Sequence, residues 1–168
     1  MEGLQINQIL MDCVIRGTIE GFEMTGLKPA AVGVSRFFTS SKEFSVIVGL
    51  HGQCNGNVNI NFSEHTACFI AEKFIGDEIK ELNEDAVDAM CEIGNIVAGR
   101  FKELLRKTEF EFDAISLPAV IFGGNYNLYH FKNITTVSVM FEIKELPILH
   151  IHDKFFTTSI SLLGQSGR

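Results

Sequence analysis

The chain has 168 residues, of which 46% are hydrophobic and 21% charged; that suits one folded domain with its own core and is too apolar for a disordered chain. A net charge of −7, with no Lys/Arg run or basic stripe, excludes a protein built to grip a nucleic-acid backbone. No apolar run approaches the roughly 20 residues of a membrane-spanning helix, so no membrane partner is expected either.

Residues 4–23 carry Ile6, Ile9, Leu10, Cys13 and Val14 at helical spacing, and Gly26 and Pro29 close that segment. The N-terminus lacks the positive flank and apolar block of a signal peptide, and Cys13, Cys54, Cys68 and Cys91 have no CxxC spacing. These features predict a cytoplasmic protein whose cysteines are reduced core residues. Residues 43–50 and 57–62 alternate as strands, and Asn55-Gly56 between them predicts a hairpin turn. The second strand sets Val58, Ile60 and Phe62 against Asn57, Asn59 and Asn61, so its asparagine face is expected to meet solvent or a partner.

Ser63 is placed to cap a helix whose stripe is Ala67, Ile70, Ala71 and Phe74, ending at Gly76. Asn83 is placed to cap the longest helix, about residues 84–107, with Glu84 and Asp85 at its start and Arg106 and Lys107 at its end. Strands are predicted over 115–122, 135–143 and 148–152, and residues 163–168 resemble a frayed tail. The whole reads as a single α+β domain over 1–168, with its core over about residues 4–153.

The long helix carries the chemistry. At about 100° per residue, Ala86, Met90, Ile93, Val97, Phe101 and Leu104 form the core stripe, while Asp88, Glu92, Asn95 and Gly99 share the opposite face. Glu92 and Asn95 are three residues apart, so their Cβ atoms lie about 5–6 Å from each other and both side chains reach a common point. Gly94 and Gly99 each cost about 1 kcal/mol inside a helix relative to alanine. Tight packing explains a glycine at 94; a surface that another molecule approaches closely explains one at 99.

The string Met90-Cys91-Glu92-Ile93-Gly94-Asn95-Ile96-Val97-Ala98-Gly99 resembles the E-x-x-N-x-x-x-G signature of the CheX/CheC/FliY chemotaxis phosphatases. Gly56 to Glu64, leading to a helix that ends Phe74-Ile75-Gly76, resembles the family's strand-to-helix segment. Leu117-Pro118-Ala119-Val120-Ile121 before Gly123 resembles the strand after its catalytic helix. The resemblance implies a largely antiparallel sheet with long helices packed on it. It also implies a homodimer joined through the sheets and a phosphorylated CheY-like response regulator as substrate and partner. In that reading Asn95 positions the attacking water, Glu92 anchors the partner through a lysine, and Asp88 and Gly99 flank the contact. No cofactor is bound by this chain; Mg²⁺ belongs to the regulator. Glu92 acting as a base is the mechanistic alternative, and a non-catalytic adaptor or flagellar-switch module is the functional one.

CheC-type relatives carry two such helices and CheX-type relatives one. An offset of 78 residues pairs Cys13 with Cys91 and sets Val14 and Gly17 opposite Glu92 and Asn95, which makes the first helix a copy without the catalytic pair. His150-x-His152 lacks a third ligand at metal-binding spacing, and no GxSxG nucleophile motif is present.

Overall fold

The computed structural model describes residues 5–126, 133–147 and 151–163. Three helices, α1 (Gln8–Gly21), α2 (Glu64–Ile75) and α3 (Glu84–Leu105), pack on one antiparallel sheet. The strands are β1 (Ala30–Ser35), β2 (Phe44–His51), β3 (Asn55–Phe62), β4 (Ala114–Ile115), β5 (Ala119–Phe122), β6 (Ile134–Glu142) and β7 (Phe155–Leu163). Their order is β1-β6-β7-β3-β2-β4, with β5 also paired to β2.

The helices begin where local chemistry starts them. Asn7, Ser63 and Asn83 accept from the backbone N–H three residues on, at 3.0, 3.2 and 2.9 Å, so each satisfies an otherwise orphaned donor. Gly76 ends α2 in the left-handed region, at φ 89°. The core fills the space between helices and sheet. Phe22, Phe62, Phe141 and Phe156 stack there with ring centroids 5.1–5.3 Å apart, and the α3 stripe Ala86, Met90, Ile93, Val97 and Phe101 is fully buried.

Several elements depart from the sequence reading. The strand expected over 115–122 is two short strands, because Ser116 to Pro118 break the ladder between β4 and β5. Asn55-Gly56 does not turn the β2–β3 hairpin: both residues already pair in β3, and the turn is at 52–54. Gly56 is required there because a side chain would run into the Ser161 carbonyl of β7. Residues 148–150 lie outside the described residues, while 151–154 form a 3₁₀ turn rather than a strand. β1 and β7 have no counterpart among the strands predicted from the sequence, and β7 lies beyond residue 153, in mid-sheet between β6 and β3.

The asparagine face of β3 is also not open. Asn59 and Asn61 are buried, because Ser40, Lys42 and Tyr126 fold over that side of the sheet. The Asn61 amide nitrogen lies 2.8 Å from Ser45 Oγ and 3.0 Å from the Lys42 carbonyl, and its Oδ1 accepts from Lys42 N–H at 3.1 Å. Asn59 Nδ2 donates to the Tyr126 hydroxyl at 3.3 Å. No helix among the described residues is long and apolar enough to cross a membrane.

Candidate functional site

Helix α3 is held on two sides. Toward the sheet, Gly94 is buried against β2, where a Cβ would stand 2.6 Å from Val46 Cγ1. Toward α1, Val97 and Phe101 occupy the space left by Gly21 and Gly17, and a Cβ on Gly21 would meet Val97 Cγ2 at 2.6 Å. These glycine contacts draw α3 onto both neighbours and set its rotation. The face left over is the one expected from the sequence. Asp88 and Glu92 are exposed, Asn95 and Gly99 half-buried, and a Cβ on Gly99 would meet nothing within 4 Å.

Among the described residues, no side-chain hydrogen bond or ion pair engages Glu92 or Asn95. A carboxylate and a carboxamide thus stand free, one turn apart, on a surface lowered by a glycine one turn further on. The carboxamide offers a donor and an acceptor to a water or oxyanion but is too weakly basic to take a proton. Cys91, beside Glu92, is a poor nucleophile: burial first and the Asp88 charge second hold its thiol above the usual range. Among the described residues, no group of three or more His, Cys, Asp or Glu side chains is arranged to hold a metal. His152 is exposed in the 3₁₀ turn, and His150 lies outside the described residues.

Residues 44–142 match the family described as the chemotaxis phosphatase CheX. The chain belongs to the CheX family. The match runs from the start of β2 to the end of β6 and includes all of α3.

Solved structures share the fold. The CheC-like superfamily protein from Shewanella sp. PV-4 superposes with a TM-score of 0.77 at 21% identity, over 95% of this chain and 100% of that one. The chemotaxis protein CheX from Desulfovibrio desulfuricans gives 0.76 at 20% identity, over 91% and 98% of the two chains. CheX in the CheX–CheY–BeF3–Mg²⁺ complex from Borrelia burgdorferi gives 0.68 at 24% identity, over 94% and 99%. A search of curated proteins gives no match.

The 78-residue offset between α1 and α3 does not survive. Val14 and Gly17 are buried, whereas Glu92 is exposed and Asn95 half-buried. Burial coincides instead at an offset of 76 residues, which pairs Leu10 with Ala86, Cys13 with Ala89, Gly17 with Ile93 and Gly21 with Val97. At that offset Arg16 and Ile19 stand where Glu92 and Asn95 do. The coincidence of Cys13 with Cys91 carries the 78-residue offset, yet Cys13 is buried and Cys91 only half-buried.

Proposed function

We propose that this CheX-family chain hydrolyses the aspartyl phosphate of a CheY-like response regulator, with α3 as the element presented to the regulator. The observation that carries this reading is the free Glu92–Asn95 pair on the open face of α3, inside the segment that matches the family. Phosphoryl transfer depends on in-line placement of the nucleophile and on charge neutralisation, and needs little covalent help from the enzyme. Asn95 holds the attacking water against the phosphoryl group through its amide. Glu92 pairs through its carboxylate with a lysine of the regulator and orients the docked partner. Mg²⁺ sits in the regulator beside its phosphoryl group, as the composition of the Borrelia complex suggests. Asp88 and Gly99 border the contact, the latter allowing close approach.

The reading includes a cytoplasmic address and a homodimer joined through the sheets. Among the described residues β1 is an edge strand that pairs only with β6, and Val32 and Val34 on it are exposed. A second copy adding to that edge would satisfy its unpaired backbone groups. Light scattering at micromolar concentration tests the dimer, and a monomer would remove it from the reading.

Phosphate release from a phosphorylated CheY-like regulator, compared between the native chain and Asn95→Ala, tests the central step. Accelerated release that is lost in the variant while binding persists supports it. Binding without acceleration in the native chain would replace the enzyme by a non-catalytic adaptor.

A further inference from the structure

Position 95 on α3 faces one margin of the molecule. Around α3, Val97 and Phe101 point to α1, and Gly94 points to β2. Asn95 lies another 100° beyond Gly94, on the side turned away from α1. Because α1 packs over β6 and β7, that side is the β4–β5 margin of the sheet.

The height along this margin follows from register. Gly94 rests on Val46 and Val48, and Val46 pairs with Val120 of β5. α3 ends at Leu105, and the chain then reaches β4, which pairs with Leu50 and His51. The C-terminal half of α3 therefore lies toward Leu117, and its N-terminal half toward Phe122, the partner of Phe44. Leu117 to Phe122 spans about 17 Å of extended chain, and Asp88 to Gly99 about 16 Å of helix. The two stretches run side by side. At either end of the margin stands an exposed apolar side chain, Leu117 at 88% and Phe122 at 61%.

We infer that Leu117 and Phe122 form an apolar grip that seats the phosphorylated regulator beside Glu92 and Asn95. This rests on the reading of α3 as the regulator-facing helix. A globular partner that brings an aspartyl phosphate to Asn95 covers about 800 Å² of this surface, a disc about 16 Å in radius. Such a disc takes in the β4–β5 margin. Apolar anchors at the ends of a polar reacting centre supply affinity that the charged pair alone does not.

The test combines steady-state phosphate release with binding of the beryllofluoride-activated regulator, for the native chain, Leu117→Ser, Phe122→Ser and Asn95→Ala. Leu117→Ser is expected to raise KM and Kd roughly tenfold with kcat within about twofold, a split opposite to that of Asn95→Ala. Phe122 also packs edge-on against Phe44, at 5.6 Å between centroids, so its variant is accompanied by a melting curve. Leu117→Ser decides the matter alone if Phe122→Ser unfolds. A native chain that turns over normally, with KM unchanged in Leu117→Ser, overturns the grip and leaves the function standing. A native chain that neither binds nor dephosphorylates the regulator overturns both.

Discussion

Gly94 rests directly on Val46: a methyl group at position 94 would stand 2.6 Å from Val46 Cγ1. Valine is branched at Cβ and has little rotamer freedom with which to yield. The contact thus sets how deeply α3 sits on β2, and with it the height of Asn95 on the next residue. Gly94→Ala would gain about 1 kcal/mol of helix propensity but lose about 1–3 kcal/mol to overpacking. The expected result is a Tm lower by several degrees and a phosphatase rate reduced more than stability alone explains, since small misplacements of a catalytic group are costly. An unchanged or raised Tm would show that β2 gives way freely.

Gly99 is the converse case. Nothing lies within 4 Å of the Cβ it lacks, so Gly99→Ala collects the helix-propensity gain of about 1 kcal/mol without a clash. A Tm rise of about 2–4 °C is expected for a chain of this size, together with a higher KM for the regulator because the added methyl stands in the docking surface. A stabilised variant with native KM would remove Gly99 from the contact.

The two glycines also illustrate what was legible in the sequence. The Ser63 and Asn83 caps, the α3 stripe and the open Glu92–Asn95 face are set by neighbours within a few residues, so periodicity and capping chemistry reveal them; the Asn7 cap is seen only in the structure. β7 was missed because its inward row, Phe156, Thr158, Ile160 and Leu162, is interrupted by a threonine and interleaved with Thr157, Ser159 and Ser161. That omission misplaced the hairpin turn, since Gly56 makes sense only against the Ser161 carbonyl. Asn59 and Asn61 read as open because they alternate with the apolar row Val58, Ile60 and Phe62. Their burial depends on Ser40, Lys42 and Tyr126, distant in sequence, and no local pattern announces such a cover.

Asn61 is accordingly structural. Asn61→Leu would keep the volume but leave the Lys42 N–H and carbonyl without the partners they have at 3.1 and 3.0 Å. Stranding these groups costs about 2–4 kcal/mol, measured as a lower midpoint in urea at unchanged slope. Phosphatase kcat at 20 °C should be near native, because the asparagine face lies across the sheet from α3.

Burial pushes the Cys13 thiol up to about 12, against about 8.5 in an unfolded chain. Below pH 8 the thiol is protonated in both states and has no effect on the pH dependence. Above that the unfolded chain binds fewer protons than the native one, so stability falls as pH rises and continues to fall to about pH 12. The expected signature is a urea midpoint that declines from pH 8.5 to 10.5, with a shallower decline in Cys13→Ala. At pH 8 Cys13 should resist alkylation until denaturant is added, and prompt labelling of the native chain would contradict its burial.

Asn95→Asp separates an oriented water from a general base. The change keeps the shape of the side chain but removes the Nδ2 donor and adds a negative charge one turn from Glu92, facing a phosphoryl dianion. If Asn95 works by holding water and phosphoryl oxygen with a neutral amide, kcat should fall by about 10²–10³-fold, the usual cost of losing one well-aimed donor. Tm should move little, because Asn95 makes no hydrogen bond among the described residues. If proton removal limited the rate instead, the new carboxylate would supply a base where none stood. Activity would then be retained and would rise with pH through that group's titration. Measuring kcat between pH 5 and 8 for the native chain, Asn95→Asp and Glu92→Gln distinguishes the two. The amide mechanism requires Asn95→Asp to be inactive throughout and Glu92→Gln to raise KM more than it lowers kcat.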